Sequence, residues 1–149
     1  MRREGLEMAV AQGKPWRLQW SDRFEVGVAA LDADHRELVR LIDAGCCVAQ
    51  DGQRSELLAI LDQTLVLAAE HFEREEAVLQ SIPAFAPDFT RHANGHKRNI
   101  EALTAIQQSL AAGDGLGDVE QLCSELINWF VRQAVGHDAK IRGYFHEGR

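Results

Sequence analysis

The sequence predicts an all-α fold: an antiparallel, up-and-down four-helix bundle preceded by an N-terminal arm. Three observations carry that prediction. Apolar residues recur at helical spacing over four long stretches. Short segments rich in Gly, Pro and Asp separate these stretches. Alternating, strand-like patterns are almost absent.

The chain of 149 residues reads as a single domain. Residues 1–30 form the arm and residues 31–149 the bundle. In the arm, Trp16, Trp20, Phe24 and Val26 are too apolar to stay in solvent and are expected to dock on the helices, with Gly27 as a bend. The first helix is expected over 31–48. Leu31, Leu38, Leu41 and Ile42 form its apolar side, Gly45 weakens its end, and Asp51-Gly52 makes the turn. The second runs over 55–80, with Ser55 as N-cap and Leu57, Leu58, Leu61, Leu65 and Leu79 facing inward. Pro83 and Pro87 impose a loop. The third runs over 88–112, with Ile100, Leu103, Ile106 and Leu110 as its stripe. Gly113, Gly115 and Gly117 break the chain before a fourth helix over 118–145, lined by Val119, Leu122, Leu126, Phe130 and Ile141.

Composition narrows the function. A net charge of −7 and the lack of any basic block exclude a nucleic-acid backbone as partner. No apolar run reaches the roughly 18 residues of a membrane span, and the N-terminus has no apolar leader core, so a cytoplasmic location without membrane contact is expected. Cys46, Cys47 and Cys123 are an odd set, wrongly spaced for a disulfide framework or a thiolate metal site, and read as small buried helix residues.

The histidines are not scattered. His92 and His96 stand four apart in His-Ala-Asn-Gly-His, which stacks two imidazoles on one helix face. His71 and Glu75 have the same spacing in His-Phe-Glu-Arg-Glu, at the end of a strongly apolar helix, whereas Glu73 and Glu76 read as a solvated face. Asp32-Ala-Asp-His35 opens the first helix, with Asp32 as a cap and His35 pointing inward one turn later. Asp138 lies in the fourth helix, and His146 in a polar tail. Every helix therefore brings an imidazole or a carboxylate to similar depth. A charged carboxylate in a core is costly unless it is paired or bound to metal. Imidazole with carboxylate suits iron, with zinc and manganese as competitors, and two carboxylates can bridge two ions while histidines fill the outer positions.

In order and spacing, these motifs resemble the hemerythrin family, in particular the bacterial hemerythrins. The matching text is Trp20 to His35 (WSDRFEVGVAALDADH), His71 to Glu76 (HFEREE), His92 to His96 (HANGH), and a fourth helix that runs from Trp129 through Asp138 to an aromatic tail at Tyr144. The resemblance spans residues 16 to about 145. It implies a non-haem centre of two iron ions with an oxo or hydroxo bridge inside the bundle, binding O2 reversibly for carriage, storage or sensing rather than catalysis. It further implies that His35 and His71 ligate the iron that is open to O2, that His92 and His96 ligate the other, and that Glu75 and Asp138 bridge them. By position, Phe72, Trp129, Phe130 and Ala134 border the O2 side. One position departs from the family pattern. Gln133 stands where a further ligand histidine is expected, which leaves Gln133 through its amide oxygen, a water, or His137 to fill that place. The departure keeps a second reading open: a di-iron redox enzyme or sensor handling peroxide or nitric oxide. A monomer or weak oligomer is expected, with any redox or signalling partner left unspecified.

Overall fold

The computed structural model describes residues 14–137 and 139–146. The described residues hold no strand, and the long helices form a four-helix bundle. We label them α1 (Ala29–Gln50), α2 (Arg54–Gln80), α3 (Phe89–Ala112) and α4 (Val119–Val131). A π-helical turn (Arg132–His137) and a short α5 (Ala139–His146) continue α4. Cross-helix contacts pair rising with falling residue numbers: Asp34 meets His71 while Gly45 faces Leu57, and Glu75 meets His96 while Arg54 meets Leu110. α1 and α2, and likewise α2 and α3, therefore run in opposite directions.

The bends come from local chemistry. At Gly52, φ is +75°, a left-handed conformation that glycine adopts without steric cost, and the chain reverses there within three residues. Gly27, with φ of +93°, makes the expected bend just ahead of α1. Asp32 is not the cap residue itself: α1 starts at Ala29 behind Val28. From inside the helix, the Asp32 carboxylate reaches back and accepts hydrogen bonds from Val26 N (2.7 Å) and Gly27 N (3.2 Å). Ser55 is not the N-cap of α2 either. That helix begins one residue earlier, after Gln53, and the cap position makes no side-chain hydrogen bond. Two carbonyls at the end of α3, Leu110 and Ala111, and Gly113 beyond it accept instead from the Arg54 guanidinium, which ties the start of α2 to the end of α3. Asp118 does cap α4, accepting from Gln121 N.

Residues 14–28 of the arm lie along α1 and α4, and residues 1–13 lie outside the described residues. Arg17 grips Asp43 with two 2.7 Å hydrogen bonds, and Leu18 N donates to the same carboxylate. Gln50 brackets Trp16, accepting from its N–H and donating to its carbonyl. Phe24 ends a 3₁₀ turn (Asp22–Phe24) and packs edge-on against Phe130, with ring centroids 5.0 Å apart.

Two apolar clusters fill the bundle. The larger contains Leu38, Ile42, Cys46, Leu57, Leu61, Phe72, Leu103, Leu126 and Phe130. The smaller contains Val26, Leu31, Leu79, Phe85 and Ile141. On α1 and α2 the residues between the clusters are polar: His35 falls between Leu31 and Leu38, and Glu75 between Phe72 and Leu79. As expected, Cys46 and Cys123 are buried free thiols, while Cys47 is half-buried.

The fourth helix departs from expectation. It is not one α-helix over 118–145, because the π turn Arg132–His137 interrupts it. A π turn inserts one residue without changing the apolar periodicity on either side, so pattern reading passes over it. Such turns concentrate at functional sites.

Gly45 tests the packing. A Cβ there would lie 3.4 Å from Leu57 Cδ1 and 3.6 Å from Ile60 Cγ2, which is ordinary contact. Replacing a helical Gly with Ala is worth up to about 1 kcal/mol. Gly45→Ala should therefore raise the urea midpoint, and Gly45→Leu, which drives further atoms into Leu57, should lower it. Equal midpoints for the two variants would contradict this packing.

Candidate metal centre

Between the two clusters lies a polar layer without water-accessible surface of note. His71 and Glu75 are fully buried, and His35, His92 and His96 are no more than 3% exposed. α2 places His71 and Glu75 on one face, and α3 places His92 and His96 opposite them. Glu75 is the meeting point. Its Oε1 lies 2.5 Å from His92 Nε2 and 2.8 Å from His96 Nε2, and its Oε2 lies 3.3 Å from His71 Nε2. Ligand atoms of Glu75, His92 and His96 lie within 4.8 Å of one another. The His35 ring sits beside that of His71, centroids 4.8 Å apart.

The outer nitrogens are held as well. His35 Nδ1 lies 2.6 Å from the Phe24 carbonyl oxygen, which can only accept, so Nδ1 carries the hydrogen. His71 Nδ1 donates to Asp34 Oδ2 at 2.9 Å, and His96 Nδ1 to Glu76 Oε2 at 2.7 Å. With Nδ1 as donor, the neutral form of each ring has its Nε2 lone pair facing inward, the tautomer that a metal ligand requires. His71 and His96 thus have carboxylate oxygens at both ring nitrogens. An Nε2 lone pair that close to a carboxylate oxygen is repulsive unless positive charge lies between them. The donor set of nitrogen and oxygen atoms converging on Glu75 therefore fits a cation such as iron.

Asp34 ties this layer to the surface. Burial pushes its carboxyl upward, but hydrogen bonds from His71 and Arg74 outweigh that effect and hold it below the usual carboxylate range. The Arg74 guanidinium grips both Asp34 oxygens, at 2.8 and 2.9 Å. Aromatic rings wall the layer. Phe72 stacks flat on His96 (4.1 Å, 8°), Phe130 meets His35 edge-on (5.7 Å), and Phe85 meets His92 edge-on (5.4 Å).

The profile of the hemerythrin HHE cation binding domain matches residues 26–142. The chain belongs to the hemerythrin family. It is similar to curated bacteriohemerythrins. It is 28% identical to that of Ralstonia nicotianae over 116 residues, which cover 77% of this chain and 79% of the relative. It is 22% identical to that of Stenotrophomonas maltophilia over 121 residues (81% and 76%) and to that of Pseudomonas aeruginosa over 123 residues (82% and 77%). Hemerythrin domains are non-haem iron-binding domains, and this one carries a buried His/Glu cluster that can hold a metal.

Of the residues singled out from the sequence, the structure brings His35, His71, Glu75, His92 and His96 into this layer. Asp138 lies outside the described residues, as do the side chains of His137 and His146. Gln133, at the departing position, is buried, and its Oε1 accepts from Asn99 Nδ2 at 2.5 Å. Ala134 and Phe130 are fully buried, and Trp129, also buried, donates its indole N–H to the Asn99 carbonyl at 3.0 Å.

Sequence reading missed several partners. Glu76 is not merely part of a solvated face, since it holds His96. Asp34 lay inside a motif already singled out, one residue from His35, but the reading passed over it. The Phe24 carbonyl has no side-chain signature at all, and Asn99 had none beyond lying one turn from His96.

Asp34 gives a direct test. Replacing it with Leu removes the acceptor that sets His71. Ferrous iron or zinc affinity, measured against a competing chelator, should fall about 10- to 100-fold, as is typical when a ligand loses its supporting partner. The exposed control Arg36→Leu should be unchanged. Equal affinities for all three proteins would show that Asp34 does not orient a ligand.

Proposed function

We propose that this protein binds O2 reversibly at a centre of two iron ions held in the polar layer, as a carrier, store or sensor. One observation carries the proposal: His71 and His96 each have carboxylate oxygens at both ring nitrogens, an arrangement that calls for positive charge beside Glu75. In this reading His35 and His71 would hold one iron, His92 and His96 would hold the other, and Glu75 and Asp138 would supply carboxylate oxygens to the pair. The iron pair, when bound, supplies the electrons that make O2 binding favourable and reversible. The protein supplies the rest. Phe24, Asp34 and Glu76 fix the rings, while Phe72, Trp129, Phe130 and Ala134 keep water away from the O2 side. The similarity to bacteriohemerythrins supports the same reading.

The anaerobically reduced protein should contain two iron ions per chain and gain visible absorption on exposure to air, losing it again under argon. Glu75→Gln should abolish both iron retention and the colour change. Air oxidation to a stable form that argon does not reverse would overturn reversible O2 binding.

A second reading is favoured by Gln133. With its oxygen engaged by Asn99, Gln133 is a poor substitute for imidazole, so the His92/His96 iron would keep an open position suited to peroxide or nitric oxide. Peroxide turnover above the free-iron background, falling at least tenfold in Gln133→His, would establish it. Equal turnover by the two proteins would remove it.

A further inference from the structure

Away from the metal layer, two cysteines meet where α1 and α4 pack together. Cys46 lies on α1 and Cys123 on α4, and both are fully buried. Each sulfur reaches the main chain of the other helix. Cys46 Sγ lies 4.0 Å from the Cys123 carbonyl oxygen, and Cys123 Sγ lies 3.9 Å from the Cys46 carbonyl oxygen. The contact is reciprocal, so both side chains turn into the same space between the two helices. The thiols are also hydrogen-bonded to each other. That bond, with burial, holds Cys46 above the usual thiol range, and the same bond draws Cys123 below it.

A single buried thiol is explained as a small apolar packing group. Two in mutual contact have a chemistry that one lacks, because sulfurs on neighbouring backbones can close into a disulfide. Cys47 supplies the contrast. It follows Cys46 directly, so its side chain leaves α1 about 100° further round the helix. It is half-buried, and burial with the nearby Asp43 carboxylate pushes its thiol up, which keeps it protonated and slow to react.

We propose that Cys46 and Cys123 form a modification site, a dithiol that hydrogen peroxide converts to a disulfide stapling α1 to α4. The Cys123 thiolate, which accepts from the Cys46 S–H, attacks one peroxide oxygen. The O–O bond breaks, and the hydroxide released takes up the proton that Cys123 had lost and leaves as water. The Cys46 sulfur then attacks the Cys123 sulfenic acid, and the displaced hydroxide leaves with the Cys46 proton as a second water. In sum, two thiols are oxidised by two electrons and one peroxide is reduced to two waters. The bridge closes α2 and α3, which carry His71, Glu75, His92 and His96, into one covalent loop. Cross-linking a long loop restricts the unfolded chain and so favours the folded bundle. The proposal is independent of the iron reading, because the peroxide comes from outside the protein.

The test treats the full chain, reduced and desalted, with a few equivalents of hydrogen peroxide, then denatures it and alkylates it with N-ethylmaleimide. Intact mass should show one alkylated cysteine in place of three, and prior reduction with dithiothreitol should restore all three. Cys46 and Cys47 are adjacent, so the Cys47→Ala variant makes the assignment: its two remaining thiols should both disappear on treatment. In the same variant the oxidised protein should unfold at a higher urea concentration than the reduced one. Cys123→Ala, treated identically, should show neither the loss of thiols nor the rise in midpoint. Three labelled thiols in the wild type at a peroxide dose that fully oxidises glutathione would overturn the site. So would a bridge that vanishes in Cys47→Ala or one that survives in Cys123→Ala.

Discussion

Glu75 carries a carboxylate into a layer of the bundle that water does not reach. Removing such a charge from water costs several kcal/mol, and attraction to a partner repays it only with good geometry. Three imidazoles face its two oxygens, and those imidazoles are steadied from behind by Asp34, Glu76 and the rest of their surroundings. The arrangement accumulates acidic groups around a small volume, so it is complete only with positive charge inside. Much else follows from that requirement: the split of the core into two apolar clusters and the Arg74 clamp on Asp34.

The clusters are a consequence of the layer rather than a separate feature. Each helix that crosses the bundle must turn from apolar to polar and back within a few residues. On α1 this happens across Leu31, His35 and Leu38, and on α2 across Phe72, Glu75 and Leu79. Aromatic rings do the sealing at the junctions because they are flat and can lie against imidazole, as Phe72 does on His96. Such rings lock the rotamers of the groups they touch, and a rigid, dry lining suits the control of a reactive centre.

Most of the fold was legible because it rests on periodicity. Leu57 and Leu61 on α2, or Leu122 and Leu126 on α4, declare their faces by spacing alone. The intra-helix pairs His71/Glu75 and His92/His96 were legible for the same reason: spacing of four defines a shared face wherever the helix lies. What spacing cannot express is which residue of another helix comes opposite. Asp34 and Glu76 carry ordinary acidic side chains beside motif residues, and only the crossing of α1, α2 and α3 gives each an imidazole to hold. The π turn was hidden for a different reason, since hydrogen-bond register leaves no trace in the order of apolar and polar residues. Ser55 failed as a cap because Arg54 already supplies the tie between α2 and α3, and the helix gains a residue by starting earlier.

His35 takes its orientation from a main-chain oxygen, that of Phe24, and the loop carrying this oxygen is itself fastened by Arg142, which donates to the carbonyls of Glu25 and Arg23. No substitution can delete a peptide carbonyl. Alanine scanning of the arm would register the loss of the Phe24 ring and remain blind to the bond that matters for the imidazole. The turn Asp22–Phe24 and the short helix α5 are therefore coupled to the ring through the position of one carbonyl, and a change that displaces either segment would act on the centre without altering any residue in it.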